Sequence, residues 1–341
     1  MEDHYEKITF WLAIVLVALF LCGCGKTSPH GSFLAEFDVE TNYYNIDNAG
    51  DCAIVKDTVV YFERQGNLLT LYAENKNQRA KIANSLEKTG LISQVYCQGN
   101  EIYYCCVDDG VTNIYSYDLA TEKSVKRFIT EENLLTFAVM DGTLIYMKMN
   151  GTIREWENNS LCSLDAQNRR TVLCDNMTSF GIENGEVRFF SEENGVDTLY
   201  AADLKNNTNS EISSFSAPHY ESLYAVLSDQ YVVFYNTERI TGRKSSFYIY
   251  RRSNGSLEQS LDCYPRQMAL TESCAFYVDD DSQELIRHSL LTGDKVVIKE
   301  NFSDTIYVSS DDLIYTLGER EIAEIQFDKD GKFETKILYR K

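Results

Sequence analysis

The run Leu144-Ile145-Tyr146-Met147 belongs to a series of seven short apolar segments in which an aromatic residue follows a turn at nearly the same offset. The other aromatics of the series are Tyr61, Tyr103, Phe189, Phe234, Phe276 and Tyr315. Successive members are 39 to 45 residues apart. Short apolar runs of this kind, bounded by turn residues, are typical of buried β-strands. The chain is therefore built from seven related β-units.

A second pair of strands follows within each unit. Ile114-Tyr115-Ser116-Tyr117-Asp118, for example, is followed by a polar turn and then by Ser124-Val125-Lys126-Arg127-Phe128. A repeat of about 42 residues with four strands is the pattern of a β-propeller blade. The sequence predicts an all-β fold over residues 33–341, a seven-bladed β-propeller of four-stranded antiparallel blades, with 33–39 adding to an edge strand. Six or eight blades, or an array of two-sheet sandwiches, remain alternatives.

Composition limits the possible partners. The 341 residues include 32 Lys and Arg against 52 Asp and Glu, which gives a formal net charge of -20. Nucleic-acid binding depends on Lys and Arg that neutralise phosphates, and contact with anionic lipid depends on basic clusters. The charge therefore argues against both, and no nucleic-acid partner is predicted. With 44% hydrophobic residues and 3 Pro, the chain is also not expected to be disordered.

The N-terminus contains an apolar segment, Ile8 to Leu21. Fourteen helical residues span only about 21 Å, which is short of a hydrocarbon core of about 30 Å. This length is typical of the apolar region of a secretory signal peptide.

The residues that follow, Leu21-Cys22-Gly23-Cys24, resemble the lipobox of bacterial lipoproteins. The resemblance implies cleavage after Gly23 and attachment of lipid, with fatty acids such as palmitate, to Cys24. Residues 1–23 are then a signal peptide, 24–32 a lipidated tether, and the protein is extracytoplasmic and anchored to the bacterial membrane. An uncleaved signal-anchor helix and a plain secretory signal cut near Gly23 are the alternatives.

The tyrosine-rich units over residues 50–340 resemble the propeller repeats of bacterial surface lipoproteins, described as TolB-like or low-density-lipoprotein-receptor-like. This resemblance implies the fold, and it implies no particular activity.

Candidate recognition residues lie on the loops that join the second strand of a blade to the third, and one blade to the next. These loops share one end of a propeller, called here the candidate rim. Trp156 is expected on a long loop over 150–160, and a locally basic loop over 236–246 carries Arg239, Arg243 and Lys244. Trp and Arg are the residue types that most often anchor interfaces. A variable solvated loop is the alternative interpretation of each.

Other polar residues of the candidate rim are interpreted as ordinary loop and turn residues. His219 and Asp109 belong to the rim, His219 with Glu221 nearby, but no nucleophile motif accompanies them. The acidic runs 108–109 and 279–281 have oxygen ligands suited to calcium, although their spacing favours solvated turns. No metal and no other cofactor are predicted.

Two cysteines form a candidate disulfide. Cys162 and Cys174 stand six positions on either side of Asn168, so a hairpin centred there places them opposite each other. Export permits disulfides. Cys105 and Cys106 are adjacent, and they are interpreted as small buried residues instead.

These observations predict an exported, lipid-anchored and monomeric β-propeller that binds a protein or glycan of the cell envelope. Enzymatic activity is uncertain from the sequence, and a non-catalytic role is favoured. An envelope assembly scaffold that presents blade edges to client strands is one alternative. A surface hydrolase or lyase acting on glycans or peptides is the other.

Overall fold

The computed structural model describes residues 35–37, 41–43, 52–55, 58–65, 68–74, 79–86, 95–98, 101–108, 110–132, 134–152, 155–183, 185–216, 223–236, 247–310, 313–318, 321–328 and 331–340. These residues form β-strands joined by turns, which confirms the all-β prediction. Within those ranges, no helix has the length and apolar character needed to cross a membrane.

Consecutive strands pair with each other in antiparallel order. A two-stranded sheet contains β1 (Ala35–Phe37) and β2 (Thr41–Tyr43). The next sheet contains β3 (Cys52–Val55), β4 (Thr58–Gln65), β5 (Leu68–Glu74) and β6 (Arg79–Leu86). It is followed by β7 (Val95–Gln98), β8 (Glu101–Asp108), β9 (Val111–Asp118) and β10 (Lys123–Thr130).

A seven-stranded sheet occupies the middle of the chain. It contains β11 (Leu134–Met140), β12 (Thr143–Thr152), β13 (Glu155–Leu164), β14 (Arg170–Glu183), β15 (Glu186–Glu193), β16 (Val196–Asp203) and β17 (Thr208–Phe215).

Three more four-stranded sheets complete the described chain. The first contains β18 (Leu223–Leu227), β19 (Tyr231–Asn236), β20 (Phe247–Arg251) and β21 (Leu257–Leu261). The second contains β22 (Pro265–Leu270), β23 (Cys274–Asp279), β24 (Glu284–Ser289) and β25 (Lys295–Lys299). The third contains β26 (Thr305–Ser310), β27 (Leu313–Leu317), β28 (Glu321–Phe327) and β29 (Phe333–Arg340).

The seven aromatic residues of the repeat all lie on strands that occupy equivalent places, β4, β8, β12, β15, β19, β23 and β27. All are buried except Tyr315, which is half-buried. Phe234, for example, lies edge-on to Phe190 and Tyr250, with ring centroids 5.5 and 5.7 Å apart. Such contacts join the β15–β17 strands to the β18–β21 sheet, and each pair contributes roughly 0.5–1.5 kcal/mol beyond its buried area. The repeat therefore marks the packing between neighbouring sheets.

The central sheet has seven strands, where the sequence analysis predicted two separate four-stranded sheets. The reason is β14. Its first part pairs with β13 as the outer strand of one unit, and the strand continues without a break to pair with β15 as the first strand of the next unit. Asn176 has a φ of 60° at the middle of this strand. Register shifts occur next to it, between Asn159 and Ser160 and between Met177 and Ser179. A bend of this kind turns a strand without ending it.

Four of the described hairpins between third and fourth strands share one capping device. Asp118 Oδ1 accepts hydrogen bonds from the backbone N–H groups of Ala120 and Thr121 at 2.7 and 3.1 Å. Asp165, Asp203 and Asp328 accept backbone N–H groups in the same way. A residue with positive φ follows each of them: Glu122, Asn168, Asn207 and Gly331. Asp therefore closes these turns because its side chain can replace a backbone acceptor.

The β1–β2 hairpin pairs with itself, whereas residues 33–39 were expected to extend an edge strand. The backbone of β1 lies close to the first strands β3 and β7 and to β14, and that of β2 lies close to β26. The hairpin is thus next to the first strands of sheets that are far apart in the sequence.

Candidate functional site

Most of the predicted recognition residues lie outside the described residues. These are Asp109, His219, Arg239, Arg243 and Lys244, together with the lipidation residue Cys24. Their roles stay predictions.

Trp156 is the exception, and its expected place was wrong. The segment 150–160 was predicted to be a loop, but Trp156 lies on β13 and its backbone pairs with Gly151 of β12. The two strands continue to Thr152 and Glu155, so the expected loop is the far end of a long hairpin. A β-bulge between Asn150 and Gly151 shifts the register there and keeps the strands paired.

A ladder of polar side chains supports this hairpin. Asn150 Nδ2 donates to Ser160 Oγ at 2.8 Å, and Ser160 Oγ donates to Asp175 Oδ1 at 2.7 Å. The three residues lie on β12, β13 and β14, so the hydrogen bonds cross the sheet. A ladder of this kind restrains the end of the hairpin that carries Trp156.

A charged cluster lies where the chain enters the central sheet. Glu132 is in the segment between β10 and β11, and its side chain is 19% exposed. Its Oε1 is 3.0 Å from both Lys148 Nζ and Arg170 Nε, and Tyr146 donates its hydroxyl to Oε2. Burial opposes ionisation of Glu132, but the hydrogen bonds from Tyr146 and Lys148 and the charge of Arg170 outweigh it and lower the pKa. Two cations therefore face one carboxylate, which leaves a local positive charge on an acidic protein.

The sequence analysis did not identify this charged cluster of Glu132, Tyr146, Lys148 and Arg170. Tyr146 was recognised only as the aromatic of the repeat. Glu132 follows another acid, Glu131, and nothing in the sequence distinguishes the two. The one feature of the sequence that could have drawn attention to Glu132 is its place in the segment that joins two units.

The register of Cys162 and Cys174 differs from the expected one. Cys162 lies opposite Val172, and Cys174 lies opposite Leu161, because a β-bulge shifts the pairing between Leu161 and Cys162. Both side chains are free thiols in the structure. Arg170 Nη2 donates to Cys162 Sγ at 3.4 Å, yet burial raises the pKa of this thiol and outweighs the arginine. Cys162 is therefore not activated as a nucleophile.

A buried carboxyl group lies at the hairpin between β15 and β16. Asp197 is 1% exposed and pairs across the strands with Glu192 and Phe215. Burial, together with the charge of Glu192, raises the pKa of Asp197 to about 7. Asp197 can hold a proton near neutral pH, but a group so completely buried cannot reach a substrate in this conformation.

The acidic turn 279–284 makes its own hydrogen bonds. Asp279 Oδ1 accepts the N–H of Asp281 at 3.0 Å, and Gln283 Nε2 donates to the carbonyl and side-chain oxygens of Asp280. Over the described ranges, no three His, Cys, Asp or Glu side chains come together in a way that would hold a metal ion.

No family model matches the sequence, and no curated protein matches it significantly. Solved structures do match the fold. Kluyveromyces lactis Hsv2p superposes with a TM-score of 0.52 at 11% identity, over 84% of this chain and 95% of that chain. The β-propeller domain of the Trilobed protease from Pyrococcus furiosus, described as having an open velcro topology, superposes with a TM-score of 0.54 at 15% identity, over 89% of this chain and 96% of that chain.

TolB from Acinetobacter baumannii has a TM-score of 0.42 at 12% identity, over 82% of this chain and 79% of that chain. This superposition is too loose to support an inference. Identities this low support the fold and not the activity. The antiparallel sheets and the two closer superpositions together show that the chain has a β-propeller fold.

Proposed function

We propose that this protein is an exported, lipid-anchored β-propeller that binds a protein or glycan of the cell envelope through the candidate rim, without catalysis. The observation that carries the proposal is the long β12–β13 hairpin. Its strands extend into the segment 150–160 that was expected to be a loop, β13 bears Trp156, and the polar ladder from Asn150 to Asp175 restrains the hairpin. A rigid hairpin loses little conformational entropy on binding, which favours recognition.

The charged cluster supports the same role. The two positive charges of Lys148 and Arg170 face the single negative charge of Glu132, while the chain as a whole has a net charge of -20. A local positive charge on an acidic body attracts an acidic partner and orients it. The predicted basic residues Arg239, Arg243 and Lys244 add to this charge if they share the rim.

We propose seven blades of four strands. Five sheets already have four strands each. The bend at Asn176 divides β14 into an outer strand for β11–β13 and an inner strand for β15–β17, which supplies the two remaining blades. Each terminal sheet contains four consecutive strands, so the ring would close without exchange of a strand between the ends of the chain. An experimental structure with another number of radial sheets would contradict this count.

The lipid anchor is proposed from the lipobox at Leu21 to Cys24. The full chain expressed in bacteria should incorporate labelled palmitate and partition into the detergent phase. Cys24→Ala should abolish both, because the thiol that carries the lipid is gone. Cys22→Ala is the matched control and should keep the label. Loss of label from both variants, or from neither, would contradict the assignment of Cys24.

Rim binding is tested by cross-linking in the native envelope, followed by mass spectrometry. Replacing Trp156, Arg239 and Arg243 by Ala should reduce the yield of one reproducible cross-linked partner about tenfold or more, since aromatic and Arg anchors dominate interface energies. Replacing Lys123, an exposed residue of the outer strand β10, by Ala should leave the yield unchanged. Equal yields from all three proteins would refute rim binding.

An assembly scaffold is the second candidate. Its support is the exposure of aliphatic side chains on the outer strands, including Val125 and Ile129 of β10 and Ile337 of β29. A scaffold would bind several unrelated client strands, whereas a specific receptor would yield one partner in the cross-linking experiment.

A further inference from the structure

Buried apolar side chains join the sheets in the order of the chain. One cluster contains Val60 of β4 and Ile102 of β8, and so connects the first two four-stranded sheets. A second extends from the β7–β10 sheet into the central sheet. A third runs from the central sheet to the last one, where Phe276 of β23 and Phe327 of β28 have ring centroids 5.8 Å apart. Among the described side chains, none of these clusters joins the last sheet, β26–β29, to the first, β3–β6.

The β1–β2 hairpin lies at this seam between the last and the first sheet. The backbone of β2 lies close to β26, the first strand of the last sheet, and that of β1 lies close to β3, the first strand of the first sheet. β1 also lies close to β7 and β14. A strand of three residues is only about 10 Å long. β1 can therefore approach three sheets at once only where their first strands converge, at the centre of the propeller.

The hairpin contacts these strands without extending their sheets. Glu36 pairs with Asn42 in the middle of the hairpin, and β1 and β2 form a two-stranded sheet of their own. Each terminal sheet consists of four consecutive strands. Over the described ranges, the seam is thus closed neither by an exchanged strand nor by a shared apolar cluster, whereas the hairpin lies close to both of its sides.

We propose that the β1–β2 hairpin is a strap that holds the first and last sheets together and closes the propeller ring. Because the strap belongs to the same chain, its effective concentration at the seam is high, and weak contacts are enough to hold it there. The proposed lipid tether over 24–32 leads into the strap, so the membrane anchor joins the propeller at its centre. The inference rests on the proposed ring of seven blades and uses no residue of the candidate rim.

Hydrogen–deuterium exchange of the full chain in detergent tests the strap. Replacing residues 35–43 by a Gly-Ser linker of equal length keeps the tether and removes the hairpin. The amides of β3 and β26 should then exchange about tenfold or more faster, because local opening of the seam is no longer opposed. β7 and β14 should change less, since apolar clusters hold their sheets to both neighbours. The same replacement at 237–245 is the matched control and should leave β3 and β26 unchanged.

A milder variant guards against misfolding of the linker protein. Glu36→Pro with Asn42→Pro changes two facing residues and should disrupt the pairing of the hairpin, because proline cannot donate a backbone hydrogen bond. It should accelerate exchange in the same two strands, β3 and β26. Exchange of β23, inside the β22–β25 sheet, reports on the whole fold and should stay at the wild-type rate.

Three results would overturn the inference. The first is wild-type exchange of β3 and β26 in both hairpin variants, or equal acceleration by the control linker. The second is equal acceleration of β7 and β14, which would make the hairpin a plug of the central channel. The third is equal acceleration of β23 in the proline variant, which would show support of the whole fold. The hairpin variants should still incorporate palmitate, and Trp156→Ala should exchange like the wild type, so failure of the anchor or of rim binding is recognised separately.

Discussion

His288 on β24 and Gln259 on β21 lie 3.1 Å apart between the histidine Nε2 and the glutamine Oε1, and this contact assigns the tautomer of a buried histidine. Gln259 Nε2 donates to the Leu290 carbonyl, so its Oε1 is the acceptor and His288 Nε2 carries the proton. His288 is 1% exposed and its ring lies edge-on to Phe247. Its Nδ1 has no hydrogen-bond partner among the described residues. The interface between the β18–β21 and β22–β25 sheets therefore requires a neutral imidazole.

Acid should weaken that interface. Burial, helped by the charge of Lys295, lowers the pKa of His288 to about 4 from a usual value of 6.5. The unfolded chain takes up a proton first, so the free energy of unfolding should fall as the pH drops from about 6.5 to about 4, by on the order of 3 kcal/mol. Denaturant titration across this range measures the effect. His288→Gln should flatten that part of the profile, and a variant that keeps the full acid slope would contradict the assignment.

Asp197 should act in the opposite direction. Its pKa is about 7 in the folded protein against an ordinary value of 3.8. The folded state therefore binds the proton more tightly, and stability should fall as the pH rises from about 4 to about 7. Asp197→Asn should stabilise the protein above pH 7, by up to about 4 kcal/mol, with a gain that shrinks towards pH 4. The gain is read from denaturation midpoints at several pH values. A gain independent of pH would show that the carboxyl is already neutral or solvated.

The Glu132 carboxylate should be needed to hold Lys148 and Arg170 together. Glu132→Gln leaves two cations without their shared anion, so we expect a loss of roughly 1–3 kcal/mol at neutral pH. Tyr146→Phe removes the hydroxyl that donates to Glu132 and also interacts with Arg170, and should cost about 1 kcal/mol. Because the pKa of Glu132 is lowered, the wild-type advantage over Glu132→Gln should disappear as acid protonates the carboxyl. Thermal or chemical denaturation at neutral and acidic pH distinguishes these results.

The capping of turns by Asp should be measurable at Asp118. Asp118→Ala removes the acceptor for the N–H groups of Ala120 and Thr121 and should cost about 1 kcal/mol. Asp118→Asn retains an acceptor oxygen and should restore most of the loss. Equal destabilisation by both variants would mean that charge, and not the turn hydrogen bonds, is what matters.

Phe234 should be among the most sensitive core positions. It is buried between the β15–β17 strands and the β18–β21 sheet, where it contacts Phe190, Phe215 and Tyr250. Phe234→Ala should cost about 3–5 kcal/mol through lost burial and a cavity. Phe333 on the outer strand β29 is partly exposed, and Phe333→Ala should cost clearly less. Urea denaturation of the two variants gives the comparison, and similar losses would refute the packing role of the repeat aromatics.

The candidate site was less predictable than the fold. Trp156 was expected on a loop over 150–160 that joins the second strand of a unit to the third, yet pairing with β13 extends β12 through Asn150 and Gly151. Glu132 escaped prediction because its partners, Tyr146, Lys148 and Arg170, come from two other strands. The residue opposite Cys162 on β14 depends on a β-bulge between Leu161 and Cys162. No residue pattern in the sequence marks the position of that bulge.

The sequence by itself determined that the chain forms repeated antiparallel sheets, because the spacing of its aromatic residues and turns is a local property of each unit. Only the tertiary structure decided that β14 joins two units into one sheet, and which carboxyl groups are buried or paired with cations. Those features depend on contacts between residues far apart in the chain, where a single bulge or bend redirects every side chain that follows it.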